Sequence, residues 1–131
     1  MLSGTRASVV ADGRAYPYEV FQGLHAGAVD VDFGTMKLFP YAREPGKLHL
    51  VIGAMERWEC AWKWMFLAAG KPIPGRTWHE FAGESMEIEA RGPDLLDPII
   101  DGERFHGLDR VRLQVGSQVR VPRIPCRPFG R

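Results

Sequence analysis

The chain has 131 residues, 45% of them hydrophobic and 25% charged, enough for one ordinary domain and too little for two. Seventeen Lys and Arg against sixteen Asp and Glu leave a formal net charge of +1, so no global field gathers nucleic acid or an anionic surface. The cysteines, Cys60 and Cys126, form no C-x-x-C pair, which argues against a zinc or disulfide framework and for a reducing cytoplasm. MLSGTRASVV lacks the apolar core of a secretory signal, and the uncharged run from Trp64 to Gly70 is too short to span a bilayer. Arg104, Arg110, Arg112, Arg120, Arg123, Arg127 and Arg131 crowd the C-terminal end, where a solvated strand face and a frayed terminus outweigh a phosphate-binding reading.

In chain order, Ala7 to Ala11, the turn Asp12-Gly13 and Tyr16 to Gln22 read as a hairpin. Val29, Val31 and Phe33 alternate with Asp30 and Asp32, and Met36 and Leu38 continue that strand past Gly34. Leu48 to Ile52 is a short apolar strand. Over 56–69 the rhythm changes: Trp58, Cys60, Ala61, Trp62, Met65, Phe66 and Ala69 recur every three or four residues, which predicts a helix with one core-facing stripe. Glu59 and Lys63 support it as an i,i+4 pair, and Gly70, Pro72 and Pro74 stop it. A Pro-Gly linker leads to Met86, Ile88 and Ala90, a half-buried strand. Ile99 and Ile100 run into Asp101-Gly102-Glu103, and a last hairpin pairs Val111 to Val115 with Val119 and Val121 around Gly116-Ser117. This succession of short strands predicts a mainly β fold, a two-layer antiparallel β-sandwich with one principal helix, over residues 1–124, with an irregular tail over 125–131.

No phosphate loop, dinucleotide fingerprint, nucleophile elbow or H-E-x-x-H pattern occurs. Asp30 and Asp32 with His25 suit a hard cation less well than a solvent-facing stripe. His49 reads as a sheet-face residue, and His79 and His106 as surface residues in loops. Asp101-Gly102-Glu103 follows the apolar Pro98-Ile99-Ile100 directly, and a glycine turn flanked by carboxylates can present a general base at a strand end. Taken alone it is more readily a plain turn with two solvated acids.

Read in order, VVADGRAYPYEVFQ, the strand ending in Phe39-Pro40, the loop YAREPGKLHLVI, the helix ending in Gly70, the strand MEIEA, the motif IIDGE and the closing VRVP together resemble the C-terminal domain of the diacylglycerol kinase and sphingosine kinase-like lipid kinases, bacterial members included. The resemblance runs over roughly residues 5 to 124 and implies a β-sandwich that shapes the lipid site. It implies that Asp101, with Glu103 beside it, is the base that accepts the proton of a lipid hydroxyl. The N-terminal nucleotide-binding domain of such kinases has no counterpart here, so the chain alone is expected to hold no cofactor and to be inactive, with ATP and magnesium entering only with a partner nucleotide-binding domain. In some bacterial members of that family the loop after the strand ending in Phe-Pro carries acids that help hold a structural magnesium; here that loop reads Tyr41-Ala42-Arg43-Glu44-Pro45-Gly46, leaving Glu44 as the one candidate ligand.

The expected function is therefore the lipid-side domain of an ATP-dependent lipid kinase, cytoplasmic and at most peripheral to a membrane. The alternative is a non-catalytic lipid- or protein-binding module that homo-oligomerises through the former interdomain face. Trp58, Trp62, Trp64, Met65 and Phe66 are the candidate lipid or partner contacts, although packing of a helix against a sheet accounts for most of them. Trp64, off the main stripe, is the residue this packing leaves out.

Overall fold

In the computed structural model the described residues are 4–117 except 31, 34, 35, 38, 70 and 72, and only the backbone is described at 32, 33, 36, 37, 57, 60, 64 and 67. The strands are β1 (Thr5–Ala11), β2 (Arg14–Tyr16), β3 (Val20–Phe21), β4 (Gly23–Gly27), β5 (Asp32–Phe33), β6 (Met36–Lys37), β7 (Leu48–Gly53), β8 (Trp78–Gly83), β9 (Ser85–Ala90), β10 (Ile99–Ile100), β11 (Glu103–Arg104) and β12 (Arg110–Gln114). A 3-10 turn (Pro40–Arg43) precedes β7, and the helix α1 (Arg57–Ala68) follows it.

Two antiparallel sheets face each other across one core. The first runs β12-β9-β1-β2, with β3 also on β1; the second runs β4-β7-β8. Register places apolar side chains in rows across the strands. Tyr16, Val9, Ile88 and Val111 oppose one another over four strands of the first sheet, and all four are buried. On the second sheet, Ala26, Leu50 and Phe81 form one row and Leu24, Ile52 and His79 the next. Each fully buried Val, Leu or Ile contributes about 1.5–3 kcal/mol, and a one-residue slip of any strand would turn its whole row to solvent.

The DG turn forms between β1 and β2 as expected, Asp12 and Gly13 having φ of 48° and 77°, the left-handed pair of a type I′ turn, but the return strand expected over Tyr16 to Gln22 is instead Arg14–Tyr16, with Val20–Phe21 pairing separately with Thr5 and Arg6. Three further expectations are corrected. The strand through Val29 and Phe33 does not continue to Met36; β5 and β6 pair antiparallel, Asp32 opposite Lys37, and Val29 is exposed. The linker ahead of Met86 contains β8, whose mixed pattern Trp-His-Glu-Phe hid a strand, so His79 lies in a sheet rather than in a surface loop. The helix forms where periodicity predicted it, but its stripe does not face the core. Trp58, Trp62 and Met65 are 64%, 41% and 55% exposed, whereas Lys63 is only 3% exposed. The Lys63 ammonium lies 3.2 Å from Glu59 and beside the Trp62 ring, so the expected i,i+4 pair is present but lies under the helix, where it and the lysine stem take the place of the aromatic stripe. The return strand expected at Val119 and Val121, the irregular tail and Cys126 lie outside the described residues.

Gly53, at the end of β7, opposes Trp78, and a Cβ there would overlap the indole ring. Gly53→Ala is expected to cost about 1–3 kcal/mol, the usual range for overpacking, as read from the urea midpoint at an unchanged slope.

Candidate functional site

The two sheets do not close on each other along one side. β4 ends the second sheet and β12 ends the first, and between them a groove of about 740 Å³ opens into the core. Its walls are apolar: Leu24 and Ala26 from β4, Met86 and Ile88 from β9, Val111 and Leu113 from β12. The sizes and composition are those of an ordinary small-molecule site. Polar groups appear sparingly, as Thr5, Gln22, His25, Asp97, Asp101 and Gln114, and no Lys or Arg lines it among the described residues. The Gln22 Oε1 atom is buried without a hydrogen-bond partner among the described residues, an acceptor left over for something else.

A small arm forms the outer wall. Residues 96 and 108 bridge its base through reciprocal hydrogen bonds, Leu96 N–H to Leu108 at 2.8 Å and Leu108 N–H to Leu96 at 3.0 Å. Asp97 then accepts the Gly107 N–H at 3.0 Å and faces His106 Nδ1 at 3.1 Å, and the Gly107 bond first, then His106, holds its carboxyl below the ordinary value. Beyond this clasp β10 and β11 pair around Asp101-Gly102, Ile100 opposite Glu103.

The chain thus carries two Asp-Gly turns of one backbone type, Asp12 and Asp101 having φ of 48° and 52°. Their carboxylates differ. Asp12 Oδ1 accepts from the backbone N–H of Glu84 and of Ser85, each at 2.9 Å, and from the Ser85 hydroxyl at 3.3 Å, tying the first turn to the start of β9. Asp101 makes no hydrogen bond or ion pair among the described residues, although it lines the groove at the end of β10.

The other candidates are scattered. Glu103 is exposed on β11 and does not line the groove. Glu44 is exposed just past the 3-10 turn, and no cluster of three or more His, Cys, Asp or Glu suited to a metal occurs among the described residues. Trp58, Trp62, Met65 and Phe66 lie on α1, none of them in the groove wall; the Trp64 side chain is outside the described set. Asp30 is engaged by Arg43. Gln22, His25 and Asp97 were not singled out for this groove, and the only hint in sequence is the small, apolar alternation of Leu24 and Ala26 around His25.

On the opposite face of the second sheet His49 is fully buried. Its Nδ1 accepts the Tyr41 N–H at 3.3 Å, which leaves the proton on Nε2, 3.3 Å from Glu80 but too poorly aligned for a hydrogen bond. Tyr41 stacks on the ring and Phe39 meets it edge-on, both with centroids 5.5 Å away. Burial, then His25, pushes the His49 imidazole down, and burial pushes the Glu80 carboxyl up, offset in part by the Trp78 indole.

Comparison with protein-family models, with curated proteins and with solved structures returns no match for this chain.

Burial lowers the imidazoles of His25, His49 and His79 below 6.5, so near that pH the folded chain binds fewer protons than the unfolded one. Their contribution is full above the unfolded value and is lost as pH falls through the window beneath it. Urea unfolding is therefore expected to show stability dropping on acidification below 6.5, and His49→Gln to flatten that slope. Between the two turns, Asp12→Ala is expected to cost about 1.5–3 kcal/mol, the range for hydrogen bonds to a charged group, and Asp101→Asn almost nothing in the same denaturation assay.

Proposed function

We propose that the groove takes the apolar chain of a lipid alcohol and brings its hydroxyl to Asp101, so that this chain serves as the acceptor-side domain of a diacylglycerol kinase- or sphingosine kinase-like phosphotransferase. The observation that carries the reading is the contrast between the two Asp-Gly turns: Asp12 is consumed by three hydrogen bonds, while Asp101 has no bonding partner among the described residues and lies at an apolar groove. An exposed carboxylate held at a strand end by a rigid turn is free to accept a proton. In this reading the lipid hydroxyl gives its proton to Asp101 as its oxygen attacks the γ-phosphate of ATP. In this reading ATP and magnesium are supplied by a partner nucleotide-binding domain. Burial of the chain supplies about 0.8 kcal/mol per methylene, enough for a half-buried acyl segment to outweigh the cost of ordering it.

A second reading is supported by the helix. Trp58, Trp62 and Met65 present an apolar face with no covering layer among the described residues, and such a face suits a symmetric homodimer. In that case light scattering at high micromolar concentration reads a dimer, and Trp58→Ser with Trp62→Ser returns it to a monomer.

The lipid reading is tested on the groove itself. Ala26→Trp, which fills it, is expected to weaken binding of a fluorescent monoacylglycerol by at least about tenfold, with the circular dichroism spectrum unchanged. Asp101→Asn is expected to leave that binding within about twofold and to abolish phosphoryl transfer when a lipid-kinase nucleotide-binding domain is supplied. Unaltered binding by a folded Ala26→Trp variant would overturn the assignment. Calorimetry of the chain alone with magnesium-ATP is expected to show no micromolar binding.

A further inference from the structure

His25 stands at the middle of β4 with a residue of opposite character on either side. Leu24 and Ala26 share rows with Ile52 and Leu50, which face the sandwich core, whereas His25 shares its row with Val51 and Glu80 on the other face of the sheet. All three residues line the same groove, together with Ala28 and Phe39. The groove therefore wraps round this strand, from the apolar space between the sheets to the imidazole, and the period-two alternation of β4 gives it an apolar wall followed by a polar one. The ring rests on the strand backbone: a Cβ at Gly23 would stand 3.5 Å from His25 Nε2 and 3.3 Å from the Trp78 ring, so the missing side chain at 23 makes room for it.

This imidazole makes no hydrogen bond or ion pair among the described residues. It is open to the groove yet closely surrounded by protein, and that burial pushes it below its ordinary value, disfavouring the cation. An uncharged imidazole carries one N–H and one lone pair, whichever ring nitrogen holds the proton. Elsewhere in the lining, Asp97 is already held by Gly107 and His106, Asp101 can only accept, and Thr5, Gln22 and Gln114 are neutral. With no Lys or Arg in the lining among the described residues, the groove offers a carbonyl a donor and offers an anion two carboxylates.

We propose that His25 donates its ring N–H to an acyl carbonyl of the bound lipid alcohol, and that it is the residue by which the groove selects a neutral ester over the matching ether and over a phosphorylated lipid. The assignment deepens the lipid reading above and rests on it. An ether has no carbonyl, so a bound ether covers the His25 N–H and leaves it unpaired, which costs affinity. A lipid phosphate brings negative charge to a groove that holds Asp97 and Asp101, and like charges at a contact lower affinity further. The same imbalance favours departure of the phosphorylated product.

The test titrates the chain with a fluorescent monoacylglycerol, with the 1-O-alkyl ether of the same chain and fluorophore, and with the phosphate of the ester. The wild type should bind the ester about five- to twentyfold more tightly than the ether and at least about tenfold more tightly than the phosphate. His25→Phe should bring ester affinity down to that of the ether and leave ether binding within about twofold, and His25→Gln, which keeps a donor, should recover part of the preference. Nitrogen-15 spectra of the wild type need no variant: the His25 ring nitrogens should shift when the ester is added and stay in place with the ether. A wild type that binds ester and ether equally, a His25→Phe variant that keeps the preference, or a phosphate bound as tightly as the ester would each overturn the assignment while the lipid reading stands. Binding of none of the three lipids by the wild type would remove the lipid reading, and this assignment with it.

Discussion

The strand Leu48–Gly53 is the member on which the other parts of the fold rest. It lies at the centre of the second sheet, bonded to β4 on one side and β8 on the other, and five of its six residues are buried. Leu50 and Ile52 face the sandwich core at 0% exposure, and His49 and Val51 face the other way into a second layer formed with Tyr41 and Phe39. A strand covered on both faces needs every backbone group paired within its sheet, and β4 and β8 provide this. The cost appears at His49, whose imidazole is enclosed by two aromatic rings and is pushed below its ordinary value by burial.

Among the described residues the second sheet ends at β4 on this side and the first at β12. The open side of the sandwich follows from that strand count rather than from any irregularity in the core. Edges left in this state are a hazard for pairing with other chains, and proteins blunt them with charge or cover them. Here the arm carrying β10 and β11 covers part of the mouth, clasped at its base by Leu96, Leu108, Asp97 and His106. What remains is an apolar groove with a few polar atoms at its rim, and the functional reading derives from it.

Local structure and function separate in the two Asp-Gly turns. Both have the same handedness of backbone and both close a hairpin, so propensity treats them alike. The first meets the Glu84-Ser85 turn and its carboxylate becomes a fastener; the second meets no donor among the described residues. The helix shows the same separation. Its periodicity is genuine, yet the face it buries is that of Lys63, with the ammonium lodged beside Glu59 and Gly75, so the aromatic stripe is left on the surface.

Period-two alternation, turn chemistry and the three-to-four spacing by themselves determined the mainly β class, the hairpin at Asp12-Gly13, the strands at Leu48, Met86 and Val111 and the span of α1, because each of these depends on neighbours a few residues apart. They also marked Asp101 through a glycine turn after an apolar run. They missed β4, and they missed β8, where His79 and Glu80 break the apolar rhythm because each has a partner outside the strand, Tyr18 and His49. They missed the reversal between β5 and β6, and they assigned the wrong face of α1. Only the tertiary structure decided which sheet each strand joins, that β4 and β12 end their sheets among the described residues, and that Leu24, Ala26 and Asp101 line one groove. Those outcomes depend on contacts between residues far apart in the chain, where burial and hydrogen-bond satisfaction across the whole sandwich outweigh the local pattern.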